Sequence, residues 1–324
     1  MDKYNNSKKF TPVFFIILLL TLISFETVSR NTIQPDPQRR IRIQDSILTG
    51  QMEPPYQYRI FKPVLGYTVQ TILSPFVKDK LKSHILSYRI IIFFVFLGIY
   101  ILFYRFLKIF FTDKACIIGL LLLQIIIPLG ITSIWEDGDY YTLLFYLIGL
   151  NLIFSRRDIF LPLVFFIGEF NRDQIIFLIV FYMIYLFSKK ELFRPKSISI
   201  ILSSVILWLT AYFSMRYYFG FKESVYTFAH NLHSNKSALT LIIELWVSQV
   251  LIFVILSIKS YSRSSVFFRG CLISLAAYAV IFFFNGILSQ LAKFLPAYLI
   301  LIPMSLQFIM NEFTGEKVFP ESIS

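Results

Sequence analysis

Charged residues are scarce in this sequence. They make up 15% of the 324 residues, whereas soluble domains carry about 25%. Apolar runs recur from Pro12 to Met310, and most charges lie in short clusters between them. Because lipid offers the backbone no hydrogen-bond partners, such runs are predicted to cross a membrane as helices. The scarcity of charge therefore excludes a soluble globular protein.

Cysteine is rarer still, with 2 residues in the chain. Cys116 and Cys271 lie far apart in apolar runs, and neither belongs to a CxxC motif. They provide no disulfide framework and no metal site, so we interpret them as packing residues. His230 and His233 are close in sequence, but no third ligand is evident, and they are predicted to be surface residues. No metal site is predicted, and the dependence of any reaction on a divalent metal stays open.

Acidic residues are outnumbered by basic ones, 19 against 31, for a formal net charge of +12. In a soluble protein this balance would suggest a nucleic-acid partner. In a membrane protein, Lys and Arg mark cytoplasmic loops and contact phospholipid headgroups. No nucleic-acid partner is therefore predicted.

The apolar runs predict an all-α, polytopic protein of about ten spans, a single integral membrane domain over residues 1–324. The predicted spans are 10–25, 88–111, 115–134, 140–154, 159–170, 174–187, 198–215, 239–258, 271–287 and 294–310. Lysines before the first run, and the Lys and Arg clusters between later runs, place both termini in the cytoplasm. A signal peptide is the competing interpretation of the first run. Either way, the chain from Glu26 onward emerges outside.

The first external segment, residues 26–83, is long and unusually cationic. Residues 53–63 within it read EPPYQYRIFKP. Residues 61–76 place most of their apolar side chains on one helical face, which predicts a helix lying in the membrane interface. A cationic external segment breaks the charge rule for membrane topology, so we expect it to have a function.

A second unusual segment is GEFNRDQ, residues 168–174. It lies between the two shortest apolar runs, which are either two short helices around a cavity or one re-entrant hairpin. Irregular backbone at membrane depth is tolerated where it lines a cavity or packs against protein. Ionisable residues there are expensive and usually functional. GEFNRD is therefore predicted to be part of a site.

Acidic and arginine side chains are predicted to meet on the external face. Transfer of a group from a phosphate-linked lipid needs a carboxylate to accept the proton of the acceptor hydroxyl, and fixed cations to hold the leaving phosphate. Arginine suits the phosphate because its planar guanidinium donates hydrogen bonds in pairs. Tyr56 and Tyr58 are predicted to position a headgroup or sugar ring.

Three segments resemble GT-C type membrane glycosyltransferases and their bacterial relatives. They are QDSILTGQMEPPYQYRIFKPVL, WEDGDYYTLLFYLIGL and GEFNRDQIIFL, at residues 44–65, 135–150 and 168–178. The resemblance covers about half of the chain, mainly residues 11–187. Residues 188–324 are recognisable only as membrane helices.

The resemblance implies a GT-C-like fold and an enzyme of the bacterial inner membrane. It would move a sugar from a polyprenyl-phosphate lipid to a glycan, lipid or protein acceptor. Asp45 matches the catalytic carboxylate of the first external loop, and Arg59 and Arg172 would bind the donor phosphate. Asp137 is predicted to be catalytic beside Asp45, and Tyr58, Glu169 and Asp173 are predicted to bind the substrate or its phosphate. Because no acidic pair directly follows the first span, the base stays open among Asp36, Asp45 and Glu136–Asp137.

Two other functions fit parts of the sequence. A transporter or flippase for a lipid-linked or anionic solute would explain the cations and the broken helices. Such proteins usually carry broken segments in both halves, whereas the sequence indicates a break only in the first half. A polymerase or ligase of surface polysaccharide would share the chemistry, but it usually has a longer late external loop than residues 216–237.

Overall fold

The computed structural model describes residues 7–224 and 226–313. As predicted, every regular element of these residues is helical. The α-helices are α1 Ser7–Thr32, α2 Pro37–Leu48, α3 Phe61–Leu73, α4 Lys80–Leu107, α5 Asp113–Gly130, α6 Asp139–Phe154, α7 Leu161–Glu169, α8 Leu178–Ser188, α9 Pro195–Phe219, α10 Phe228–Ser237, α11 Leu239–Gln249, α12 Leu251–Ser260, α13 Val266–Asn285 and α14 Tyr298–Phe313. Short 3-10 helices include Tyr56–Tyr58, Asp173–Phe177 and Leu291–Ala297.

Six helices of the described chain are long and apolar enough to cross a membrane: Pro12–Thr32, Lys80–Leu107, Asp113–Gly130, Pro195–Phe219, Val266–Asn285 and Leu291–Phe313. Helices α11 and α12 make a seventh if this pair, bent by 52°, counts as one span. The described residues therefore have the helices of a multi-pass membrane protein, by length and composition. The predicted number of about ten is not confirmed, because it counts the shorter apolar helices as full spans. The predicted cytoplasmic termini, residues 1–6 and 314–324, lie outside the described residues.

Residues 26–83, the predicted first external segment, are mostly helical. Helix α1 continues to Thr32, past the predicted end of the span at residue 25. Asp36 caps α2 by accepting a hydrogen bond of 2.8 Å from the backbone N–H of Arg39, which satisfies one of the free amides of the first turn. The predicted interfacial helix is present as α3. The backbone N–H of Phe61 donates to the carbonyl of Phe170 at 2.9 Å, which fixes the start of α3 to the turn after α7.

Helix α7 is too short to cross the bilayer alone. Its 9 residues span about 13 Å at 1.5 Å per residue, against a hydrocarbon thickness of about 30 Å. It packs along α9, while α8 packs along α13. The turn between them, residues 170–172, is thereby held inside the protein, as the predicted GEFNRD site requires.

Helix α14 forms the centre of the bundle, and α9 and α13 form its periphery. The most apolar stretch of the span Leu291–Phe313 is 83% buried, whereas those of α9 and α13 are each 17% buried. Helix α14 packs against α12 and α5. Helices α9 and α13 are therefore little covered by the rest of the protein, and the space between these two helices contains the cavity described next.

Candidate functional site

A cavity of about 540 Å³ lies at one end of the helix bundle. Its walls come from the first external segment, the turn after α7, the last turns of α9 and α13, and the 3-10 helix before α14. Segments far apart in the sequence thus meet around one space. Its charged lining residues are Arg59, Arg172, Asp173, Arg216 and Lys293.

Three of the four cations that line the cavity have no ion-pair partner in the described part of the chain. Arg59, Arg216 and Lys293 are not within 4.0 Å of a carboxylate oxygen among the described residues. Arg216 instead stacks on the ring of Tyr58 at 4.5 Å. Cations that are partly buried and unpaired usually serve a bound anion. The cavity is thus suited to a negatively charged ligand.

Burial and a neighbouring positive charge both affect the pKa of Arg59. Burial, together with the nearby guanidinium of Arg172, lowers the pKa of Arg59 to about 10, and the Asp173 carboxylate partly opposes both effects. Arg59 therefore keeps its charge at neutral pH but is held in an unfavourable field. An anion in the cavity would relieve that field.

Arg172 is held by the segment WEDGD. Its Nε lies 3.0 Å from Oδ1 of Asp139, its Nη2 donates to Oδ2 of Asp139 at 3.1 Å, and Nη2 also donates to the carbonyl of Trp135 at 3.0 Å. A Cβ added at Gly138 would lie 2.9 Å from the Arg172 Nε, so the close approach of Arg172 requires glycine. The two segments predicted to be important thus form one unit.

Asn171 strengthens this unit. Its Nδ2 donates to the carbonyl of Gly138 and to Oγ1 of Thr142, each at 2.9 Å. The turn after α7 is therefore fixed to the N-terminus of α6. The outcome is a rigid base from which Asp173 and Gln174 reach the cavity.

Asp137 occupies a separate buried network. It accepts hydrogen bonds from Arg40 at Oδ2 and from Lys62 at Oδ1, the latter at 2.5 Å, and is 1% exposed. Arg40 is also buried; it donates to the carbonyl of Thr32 at 2.6 Å and lies 4.1 Å from the ring centre of Tyr88. Both carboxylate oxygens of Asp137 are thus engaged, and its contacts tie α2 and α3 to the start of α6.

The structure places Asp45 away from the cavity lining. Its side chain is 52% exposed on α2, and Oδ2 lies 3.7 Å from Nζ of Lys80. The other candidate bases have local roles: Asp36 caps α2, and Glu136 accepts hydrogen bonds from the backbone amides of Thr132 and Ser133 at 2.8 and 2.9 Å. Among the described residues, Asp173 is the only carboxylate lining the cavity, and it is exposed.

The segment after α9 closes one side of the cavity. The hydroxyl of Tyr58 donates to the carbonyl of Gly220 at 2.8 Å, and the hydroxyls of Tyr56 and Tyr226 are 2.9 Å apart. Tyr56 also packs against Trp135, with ring centres 4.7 Å apart. The predicted positioning tyrosines thus hold the first external segment against this wall.

Glu169 is buried, 7% exposed, at the C-terminus of α7 and does not line the cavity. Sequence analysis missed several residues that do, among them Trp208, Tyr278 and Asn231. It also missed Arg216 and Lys293. One signal was available, since Lys293 is a lone charge in a long apolar stretch, and an intramembrane charge is a functional hypothesis by default.

Among the residues that the structure describes, no three His, Cys, Asp or Glu side chains come together as a metal-binding group. Comparison of the chain with protein-family models, curated proteins and solved structures found no match.

Proposed function

We propose that this protein is a membrane glycosyltransferase whose cavity binds a polyprenyl-phosphate-linked sugar. The observation that carries the proposal is the set of unpaired cations, Arg59, Arg216 and Lys293, in the same cavity as one exposed carboxylate, Asp173. The cations suit the phosphate of the donor. The carboxylate suits the acceptor hydroxyl.

In the proposed reaction, the oxygen of the acceptor hydroxyl attacks the anomeric carbon of the sugar. The bond between that carbon and the phosphate oxygen breaks, and its electron pair leaves with the polyprenyl phosphate. Asp173 accepts the hydroxyl proton, and the cations stabilise the charge that develops on the phosphate. Direct displacement inverts the anomeric centre. This assignment replaces Asp45, the base implied by resemblance, because Asp45 does not line the cavity.

Arg172 has a supporting role in this proposal. Its guanidinium is already paired with Asp139, so it adds less free positive charge than the three unpaired cations. Its rigid attachment would hold the phosphate side of the cavity in place. We further propose that the cavity faces the non-cytoplasmic side of the bacterial inner membrane and that the acceptor is a glycan, lipid or protein.

The decisive experiment is an assay of the purified protein in nanodiscs with radiolabelled polyprenyl-phosphate hexoses and a panel of acceptors. Asp173→Asn should lower transfer by about 100-fold or more, the usual effect of losing a general base. Asp45→Asn is the matched control and should retain transfer within about twofold. Both variants should have the same free energy of unfolding as the unmodified protein. Full activity in Asp173→Asn would refute the base assignment, and activity lost only in Asp45→Asn would restore the resemblance-based one.

One observation favours a transporter or flippase as the alternative. The prediction that helix breaks occur only in the first half is wrong, since α11 and α12 in the second half are bent by 52°. Broken segments in both halves are typical of transporters. In proteoliposomes, movement of an unchanged lipid-linked sugar across the bilayer, without transfer to any acceptor, would support this alternative and refute the enzyme.

A further inference from the structure

The cavity has an uncharged polar wall in addition to its cations. Asn231 of α10 and Gln174 of the 3-10 helix Asp173–Phe177 both line it. Asn231 is 1% exposed, and its Oδ1 accepts no hydrogen bond from the described residues. The Nε2 of Gln174 is likewise buried and donates to none of them. Buried polar atoms are normally hydrogen-bonded, so these two amides point to a ligand.

Phosphate alone does not match these two atoms. A phosphodiester offers only acceptor oxygens, whereas Oδ1 of Asn231 requires a donor. A hydroxyl group both donates and accepts, so hydroxyls can satisfy Asn231 and Gln174 together. The ligand therefore needs hydroxyl groups close to its anionic part.

Helix α10 is fixed in a way that leaves Asn231 available. One turn further along the helix, Asn235 donates from Nδ2 to the carbonyls of Phe283 and Gly286, at 2.7 and 2.9 Å. Its Oδ1 accepts from the backbone N–H of Leu288 at 2.9 Å. Residues four apart share a helix face, so Asn231 and Asn235 lie on the same face of α10. Their roles nevertheless differ. Asn235 is fully used in anchoring α10 to the end of α13, and Asn231 is not.

Aromatic rings line the same cavity as these amides. Trp208 and Tyr212 stack with ring centres 5.3 Å apart on α9, and Tyr278 and Phe282 lie 5.7 Å apart on α13. All four line the cavity. The faces of aromatic rings pack against C–H groups, and the Trp N–H and Tyr O–H groups form hydrogen bonds. Such a surface suits a flat ligand that has both C–H and O–H groups.

We propose that Asn231 and Gln174 bind hydroxyl groups of an uncharged sugar ring, and that Asn231 determines specificity for the sugar carried by the lipid phosphate. The inference rests on the proposed function, because it assigns the glycosyl part of the same donor. It extends that function by naming the chemical class of the sugar and the residues that recognise it.

The test compares the affinities of decaprenyl phosphate and decaprenyl-phosphoryl hexose, each titrated into the full-length protein in nanodiscs. The unmodified protein should bind the glycosylated lipid about fivefold to tenfold more tightly, the effect of one or two hydrogen bonds. Asn231→Leu should lose this preference while still binding bare decaprenyl phosphate. Asn231→Asp keeps acceptor oxygens and should keep the preference, even though its added charge weakens the binding of both lipids.

Asn235→Leu is the matched control. It should lower the stability of α10 but keep the ratio of the two affinities in the folded fraction. An unchanged preference in Asn231→Leu, or equal binding of the two lipids by the unmodified protein, would overturn the hydroxyl site while phosphate binding stands. Failure to bind either lipid would overturn the proposed function, and this inference with it.

Discussion

Asp137→Ala offers the sharpest distinction between an acid that supports the fold and one that serves the cavity. In the unmodified protein, Asp137 forms ion pairs with both Arg40 and Lys62, which are 2% and 16% exposed. The variant leaves both cations without their carboxylate in a buried position. Asp173→Ala, in contrast, removes an exposed carboxylate.

The magnitude follows from burial. Removing one partner of a buried ion pair lowers the free energy of unfolding by about 3–5 kcal/mol, because a buried charge is left unpaired. Arg40 stays charged at any accessible pH, and Lys62 is slightly exposed, which favours a loss of about 3 kcal/mol. Asp173→Ala should change the free energy of unfolding by less than about 0.5 kcal/mol.

The deficit of Asp137→Ala should shrink as the pH rises. Burial lowers the pKa of Lys62 below its ordinary value of 10.5, and the Asp137 charge opposes that effect. Without Asp137 the pKa of Lys62 falls further. At pH values between that lowered pKa and 10.5, Lys62 is less protonated in the folded variant than in the unfolded chain. The free energy of unfolding of the variant therefore increases with pH.

Denaturant titration in mixed micelles, repeated at several pH values from 7 to 10, would measure these differences. The reasoning is refuted if Asp137→Ala and Asp173→Ala unfold alike at pH 7. It also fails if the deficit of Asp137→Ala grows as the pH increases. Transfer or binding activity of the folded fraction provides a second readout, which Asp137→Ala should affect less than Asp173→Ala.

Two further predictions concern the anion-binding side of the cavity. Lys293→Met should weaken binding of decaprenyl phosphate about 10- to 100-fold, since a hydrogen bond to a charged group contributes about 1.5–3 kcal/mol. Unchanged affinity would show that the phosphate does not bind beside Lys293. Gly138→Ala should raise the donor KM several-fold with a smaller effect on kcat, because the new Cβ would lie 2.9 Å from the Arg172 Nε and displace that side chain. Initial rates at varied donor concentration would measure both constants. An unaltered KM would contradict a supporting role for Arg172.

Much of the fold follows from the sequence, because apolar runs must become helices in lipid. The start of α3 and the existence of most helices were predicted correctly. Their extent was less predictable: α1 runs past Phe25 to Thr32, since nothing in that stretch breaks a helix. The bend between Gln249 and Leu251 has no proline or glycine beside it, so packing rather than local propensity sets it.

The candidate site was predictable only in part. Of the segment GEFNRD, predicted to be part of a site because charged side chains between short apolar runs are costly without a role, Arg172 and Asp173 line the cavity and Glu169 does not. The partner of Arg172 was not predicted, since its pairing with Asp139 depends on the packing of α6 against α7. Asn231 could not have been found, because its significance lies in an unsatisfied oxygen that only the folded position reveals.

The peripheral position of α9 and α13 has a consequence for how ligands arrive. In a bilayer, helices so little covered by protein would leave the cavity between them next to the acyl chains. A substrate with a long hydrocarbon tail would then diffuse in two dimensions and enter sideways. Its effective concentration would be a mole fraction of the surrounding lipid, so apparent affinities should fall when more inert lipid is added at a constant total amount of substrate.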